Sequence, residues 1–214
     1  MSASLVIGAS GGIGGALARA LAARGPLTAL SRRDDGLDVT DEASVARLLG
    51  ALDGPYDLVI CATGALGTPE KALRALEPDA FLDQMRVNAL GPLLVLKHAL
   101  RLMPRDRVAR FGALSARVGS IGDNRLGGWY SYRAAKAALN QGLRSAAVEV
   151  ARTHPQAVIA ALHPGTVDTG FTAGFAADKH DPDRAAADLL RVLDGLGPAQ
   201  SGCFRDWRGD EIAW

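Results

Sequence analysis

Short apolar runs alternate with longer segments of helical period along this chain, an order that predicts a parallel sheet with helical crossovers. Leu5-Val6-Ile7 is a short strand. Ile13 to Arg24 carries Ile13, Ala16, Leu17, Ala20 and Leu21 at helical spacing and stops at Gly25-Pro26. Leu27 to Leu30 is a second strand. Asp57 to Cys61 is a third, and its unbroken apolar run suits burial on both faces. Further on, the pattern predicts helices over Pro78–Met103, Trp129–Arg152 and Pro182–Leu193, with strands at Val108–Leu114, Gln156–Leu162 and Gly202–Arg205. One interval is irregular. The six residues between Leu30 and Leu37 are fewer than the roughly twelve a helical crossover needs. We expect a bare loop to a strand at Leu37–Val39, then a helix from Asp41 to Leu52 capped by Thr40.

A length of 214 residues suits one large domain, and no linker or repeat marks a boundary, so residues 1–214 are read as one unit. The 24 basic and 23 acidic side chains leave a net charge of +1, which argues against a protein that grips nucleic acid through its phosphates. The longest apolar stretch, Ala89 to Leu96, is broken by Gly91-Pro92 and falls far short of a membrane span. Leu5 to Ile7 is too short for a secretory signal. Cys61 and Cys203 make neither a disulfide scaffold nor a metal cluster, and His98, His154 and His180 are scattered, so no metal is expected. The reading is a soluble, cytoplasmic protein.

Chemistry enters at two places. Gly8-Ala9-Ser10-Gly11-Gly12-Ile13-Gly14 lies between the first strand and the first helix. Glycines 8, 12 and 14 let the backbone turn sharply, approach a pyrophosphate and pack helix on sheet, while the helix N-terminus offers N–H groups to the phosphates. Tyr132 and Lys136, four apart on a predicted helix, share one face. A neighbouring ammonium favours phenolate and lowers the tyrosine pKa, which brings proton transfer within reach. Alone, such a pair reads first as a solvated amphipathic face; beside the glycine turn it reads as chemistry.

The order Gly-Ala-Ser-Gly-Gly-Ile-Gly, Asn88, Ser115, Tyr-Arg-Ala-Ala-Lys and His-Pro-Gly-Thr-Val-Asp-Thr resembles the short-chain dehydrogenase/reductase family nearly end to end. The stretch from Ser115 through Gly119-Ser120-Ile121-Gly122-Asp123-Asn124 to Tyr132 further resembles its C-factor and sniffer-like carbonyl reductase branch. The resemblance implies a three-layer α/β/α Rossmann fold with a doubly wound parallel sheet, here shortened after the second strand. It also implies a nicotinamide cofactor and carbonyl/alcohol redox chemistry on a small molecule. Two positions depart from the family pattern: Ile7 stands where Thr is usual, and Ala62-Thr63-Gly64 replaces Asn-Ala-Gly.

By that resemblance Tyr132, Lys136, Ser115 and Asn88 are the catalytic set. Asn88 also has a local argument, because Pro92 four residues on has no N–H for its carbonyl. The serine register stays open: Ser115 is 17 residues before Tyr132 where about a dozen is usual, alignment on Gly119 puts Ala116 in the slot, and Ser120 is the fallback. The cofactor would be held by Gly8, Ser10, Gly11, Gly12, Ile13 and Gly14, by Asp38, Val39, Ala62 and Gly64, and by Tyr132 and Lys136. Pro164, Gly165, Val167 and Thr169 would surround the nicotinamide, and His163 reads as structural. Ser31-Arg32-Arg33 stands where an NAD enzyme keeps an acidic residue, which favours NADPH. Asp34 and Asp35 follow on the same short loop.

Gly170 to Asp181, with Phe171, Gly174 and Phe175, reads as a lid; with Trp129 and Tyr130 it points to an apolar or aromatic carbonyl substrate. A homodimer or homotetramer through the Asn88 and Tyr/Lys helices is implied. The competing reading is a nucleotide-binding regulatory or cell–cell signalling protein of C-factor type with subordinate catalysis.

Overall fold

Six short strands form the centre of the computed structural model, which describes residues 3–176 and 178–214. They are β1 (Ser4–Ile7), β2 (Leu27–Leu30), β3 (Leu58–Cys61), β4 (Ala109–Leu114), β5 (Ala157–His163) and β6 (Cys203–Asp206). All pair in parallel, in the order β2-β1-β3-β4-β5-β6. The order reverses between β1 and β3, and that is where a doubly wound sheet opens a crevice at the carboxyl ends of its strands.

Each central strand is apolar on both sides, and its alternate residues feed two cores. Leu5, Ile7, Val59, Cys61 and Phe111 face a core with α3 (Glu42–Gly50), α5 (Gly91–Ala99) and α6 (Tyr130–Val150). Val6, Ile60, Val158 and Leu162 face the other, with α1 (Gly12–Ala22) and α7 (Pro182–Gly195). Three layers result, as the resemblance implied.

The interval after β2 differs from expectation. No strand forms at Leu37–Val39. Ser31 instead caps a single helical turn, α2 (Arg32–Asp35), closed by Gly36 at φ 72°. The amide of Asp38 then donates to Ser44 Oγ at 3.1 Å, and that of Thr40 to Asp38 Oδ1 at 2.9 Å. These N–H groups are spent locally and are not offered to a ladder, yet Leu37 and Val39 are buried in the core. Their apolar character marks packing and not pairing. The cap of α3 is likewise Asp41, which accepts from Ala43, rather than Thr40, whose hydroxyl donates to Asp38.

The predicted Pro78–Met103 helix is continuous only in outline. After α4 (Pro78–Met85) the chain makes a π turn, Arg86–Leu90, before α5 and a final 3₁₀ turn. The Gly91 amide donates to Arg86, five residues back. Pro92 has no N–H to give the Asn88 carbonyl, and the wider turn absorbs that gap. Among the described residues no helix is long and apolar enough to cross a membrane.

Candidate active site

A cavity of about 760 Å³ opens over the carboxyl ends of β1, β3, β4 and β5. Its first wall is the glycine turn. Gly8 has φ 91°, and a Cβ on Gly14 would run into the Gly8 carbonyl oxygen, so helix α1 lies directly on the turn. A Cβ on Gly12 would run into the Thr169 methyl. Gly11 caps α1 with no side chain, and no acidic residue stands in the first turn. The free N–H groups of Gly12, Ile13 and Gly14 therefore have no side-chain acceptor, and these residues line the cavity. A dinucleotide's pyrophosphate fits such a cradle, in which side chains are excluded and bare amides are left.

Beyond the end of β2 the residues expected to meet the adenosine ribose have been sorted by their own neighbours. The Ser31 hydroxyl is buried and donates to Asp34 Oδ2 at 2.8 Å, while Asp35 accepts from the Ser31 amide at 2.7 Å. Arg33 pairs with Asp34 at 3.1 Å. Arg33 and Ser31 together hold the Asp34 carboxyl below the usual carboxylate range. Arg32 alone makes no side-chain hydrogen bond or ion pair among the described residues. Ser31 and Arg33 are thus engaged, and Arg32 is the cation of this turn without a partner among the described residues. Val39 packs against Gly91 and presents its side chain to the core. Asp38 accepts from Thr40, whose hydroxyl and amide hold its pKa down.

Helix α6 brings Tyr132, Lys136 and Asn140 onto one buried face. Lys136 Nζ donates to the Leu114 carbonyl at 2.9 Å and lies 5.7 Å from the Tyr132 ring centroid. Burial lowers the Lys136 pKa to about 8. Tyr132 is 7% exposed and lines the cavity, and its hydroxyl makes no hydrogen bond among the described residues. Burial pushes its pKa up, opposite to the expected lowering by Lys136. Removing the phenol from water outweighs the neighbouring ammonium here.

Asn88 and Ser115 are both present but engaged. Asn88 Oδ1 accepts from the Ala65 amide at 3.1 Å, and its Nδ2 donates to the Ala65 carbonyl and to Gln84, each at 2.7 Å. The side chain ties down the loop after β3 where Gly64 passes Lys136; a Cβ on Gly64 would stand 3.7 Å from Nζ. Ser115 lies just past β4, and its hydroxyl donates to Asn140 Oδ1 at 2.6 Å. Ala116, the alternative in the serine register, is more open, and both line the cavity. Ser120 is 1% exposed, accepts from the Asp123 amide and does not line the cavity.

The far wall is aromatic. Trp129 packs on Phe175 at 5.5 Å and on Tyr132 at 6.3 Å, and Phe171 stands 6.0 Å from Tyr132. Part of the lid segment, residue 177, lies outside the described residues. Pro164, Gly165, Val167 and Thr169 line the same cavity. His163 also lines it, and burial drops its pKa to about 4, which leaves the ring neutral at neutral pH.

Two residues that shape the site were not singled out from the sequence. One is Asn140, the partner of Ser115, whose Nδ2 is buried without a partner among the described residues. Its signal was available: it continues the i, i+4 series of Tyr132 and Lys136. The other is Glu70. It reaches the first turn of α6 from 61 residues upstream, accepting from the Ser131 amide at 3.3 Å and from the Ser131 hydroxyl. Its carbonyl accepts from the Trp129 amide at 2.6 Å. Gly127, Gly128 and Trp129 run consecutively with φ 63°, 64° and 55°, so a non-glycine residue is held left-handed at the helix start. Nothing local in sequence announces a cap so distant.

Residues 35–192 match the family described as enoyl-(acyl carrier protein) reductase. The chain belongs to the short-chain dehydrogenase/reductase family. It is 32% identical to the 1-hydroxy-2-glutathionyl-2-methyl-3-butene dehydrogenase of a Rhodococcus species, over 100% of both chains. It is 36% identical to the C-signal protein of Myxococcus xanthus, over 75% of this chain and 94% of that one. Among solved structures, the carbonyl reductase Sniffer of D. melanogaster has the same fold, with TM-score 0.86, 23% identity and full coverage of both chains. A family member from Burkholderia multivorans with bound NADP superposes with TM-score 0.84 at 27% identity, covering 100% of this chain and 99% of that one. This family member is accordingly an oxidoreductase by kinship.

Proposed function

We propose that this short-chain dehydrogenase/reductase reduces an aldehyde, ketone or quinone to the alcohol, with NADPH as reductant and Tyr132 as proton donor. The observation that carries the reading is the Tyr132 hydroxyl, free among the described residues and with Lys136 Nζ over its ring, in a cavity that the uncapped start of α1 also lines. When bound, NADPH supplies a hydride to the carbonyl carbon. Tyr132 gives its proton to the oxygen, so hydride and proton together complete the alcohol. An alkoxide is more basic than a phenolate, so a phenol with its pKa raised by burial still delivers its proton. The same shift leaves little phenolate at neutral pH to act as base in the reverse oxidation. Lys136, still largely protonated at neutral pH with a pKa of about 8, offsets the phenolate charge as it forms. Gly11 to Gly14 hold the phosphates, Arg32 the 2′-phosphate, and Thr169 with its neighbours the nicotinamide. The NADP found in the Burkholderia multivorans relative agrees with this choice of cofactor.

The engaged Ser115 and the apolar Ala116 beside it favour a second reading, a nucleotide-binding regulator with subordinate catalysis, in line with the kinship to C-signal. A homodimer or homotetramer belongs to either reading, since Leu82, Leu90 and Val148 stand exposed on the helical layer. The test is NADPH oxidation against a panel of aldehydes, diketones and quinones. Turnover of any class supports the reductase. Tight NADPH binding with no turnover across the panel sinks it and leaves the regulator.

A further inference from the structure

The lining of the cavity carries an unbalanced charge. Among the described residues, Arg117, Arg125, Arg133 and Lys136 line the cavity against a single carboxylate, Asp123. Lys136 belongs to the reacting end. Arg117 is spent, with Nη1 on Asp123 and Nη2 on Asp206, both at 3.1 Å. Two guanidinium groups remain. Arg133 is half-buried and donates only to the Gly128 and Val118 carbonyls, at 3.0 and 3.2 Å. Neutral acceptors leave its charge uncompensated. Arg125, exposed at the rim, makes no hydrogen bond or ion pair among the described residues. Partly burying a cation with no counter-charge is costly, and a wall of one sign concentrates ligands of the other. The dinucleotide's phosphates do not account for this charge, because the glycine turn and Arg32 take them elsewhere. The same cavity is lined by apolar side chains: Trp129 and Phe171 against Tyr132, Phe175 against Trp129, and Leu126, 91% exposed.

We infer that the substrate is a carbonyl compound with an apolar, ring-bearing body and a carboxylate, and that Arg125 and Arg133 select the carboxylate. The inference rests on the carbonyl-reductase reading and deepens it. The ring lies along Trp129, Phe171 and Phe175 while its carbonyl meets Tyr132. The carboxylate reaches the rim, where a planar guanidinium matches it with two parallel, charge-assisted hydrogen bonds.

The experiment compares para-formylbenzoate with benzaldehyde, which differ only by the carboxylate. The parent is expected to favour the charged aldehyde in kcat/KM by about ten- to a hundredfold, the range of a charged hydrogen bond. Arg125→Ala narrows that ratio, and Arg125→Glu inverts it. Binding is read separately by calorimetry on the NADP⁺ complex, with para-hydroxymethylbenzoate and benzyl alcohol. A carboxylate preference in binding that Arg125→Ala abolishes supports the inference even where neither aldehyde is reduced, an outcome that counts only against the reductase reading. Equal binding of the two alcohols by the parent overturns it. So does a carboxylate preference that survives in both Arg125→Ala and Arg133→Gln.

Discussion

Helices α1 and α6 both begin without a side-chain cap of their own, and they resolve it in opposite ways. At α1, Gly11 supplies no acceptor and the first turn holds no acid, so the amides face the cavity. At α6, the Glu70 carboxylate takes the Ser131 amide and hydroxyl, and its main chain holds Trp129. The unmet N–H groups are chemically the same. A terminus left open is a place for a ligand's anion. A terminus closed from within is rigid, and this one bears Tyr132 as its third residue. On the proposed function, the protein keeps its binding end unsatisfied and its reacting end fixed.

The largest break in this comparison comes at the reacting end. Tyr132→Phe keeps the ring and removes the transferable proton, and lowers kcat by at least about two orders of magnitude. NADPH affinity, followed by fluorescence titration, survives; a near-normal kcat would dismiss Tyr132 as proton donor. At the binding end, Arg32→Ala weakens NADPH by about ten- to a hundredfold and leaves NADH little changed, because one charged hydrogen bond to the 2′-phosphate is lost. Equal losses with both cofactors would refute that assignment.

Glu70→Ala opens the closed terminus. Ser131 then keeps a buried hydroxyl and amide without their acceptor, which costs about 1–3 kcal/mol in urea unfolding. The pH dependence has a definite sign. Burial alone would raise the Glu70 pKa, but the Ser131 bonds bring it below its ordinary 4.5. A carboxyl depressed in the folded state stabilises above its unfolded pKa and loses that contribution as pH falls through the folded value. The gap between parent and Glu70→Gln therefore closes below about pH 4; a gap that widens on acidification would contradict the cap. Gly11→Asp does the converse at α1. Gly11 is extended, at φ −81° and ψ 164°, a backbone that suits an aspartate cap. The ligand-free protein gains about a few tenths of a kcal/mol in thermal unfolding, while the carboxylate displaces the pyrophosphate. Gain in both stability and NADPH affinity would mean that α1 was not held open for an anion.

The two termini also divide what could be read in advance. The glycine turn was legible because its whole logic lies within seven residues: strand, glycines and helix are adjacent in the chain. The same holds for Tyr132 and Lys136, four apart on one helix, and for Asn88, whose irregular turn follows from Pro92. The three layers followed from strands apolar on both faces. Pairing and partners did not follow. Leu37 and Val39 were apolar enough for a strand, but their neighbours' amides were taken by Ser44 and Asp38, so the edge strand was lost. Ser115 was in place, yet its hydroxyl turned to Asn140. Tyr132 was expected to be acidified by Lys136, and burial, a property of the whole cavity, moved it the other way. Short-range geometry and residue chemistry are written into adjacent positions. Desolvation, the choice of hydrogen-bond partner and the cap supplied by Glu70 depend on which distant segments the fold brings together, and only the tertiary structure decides them.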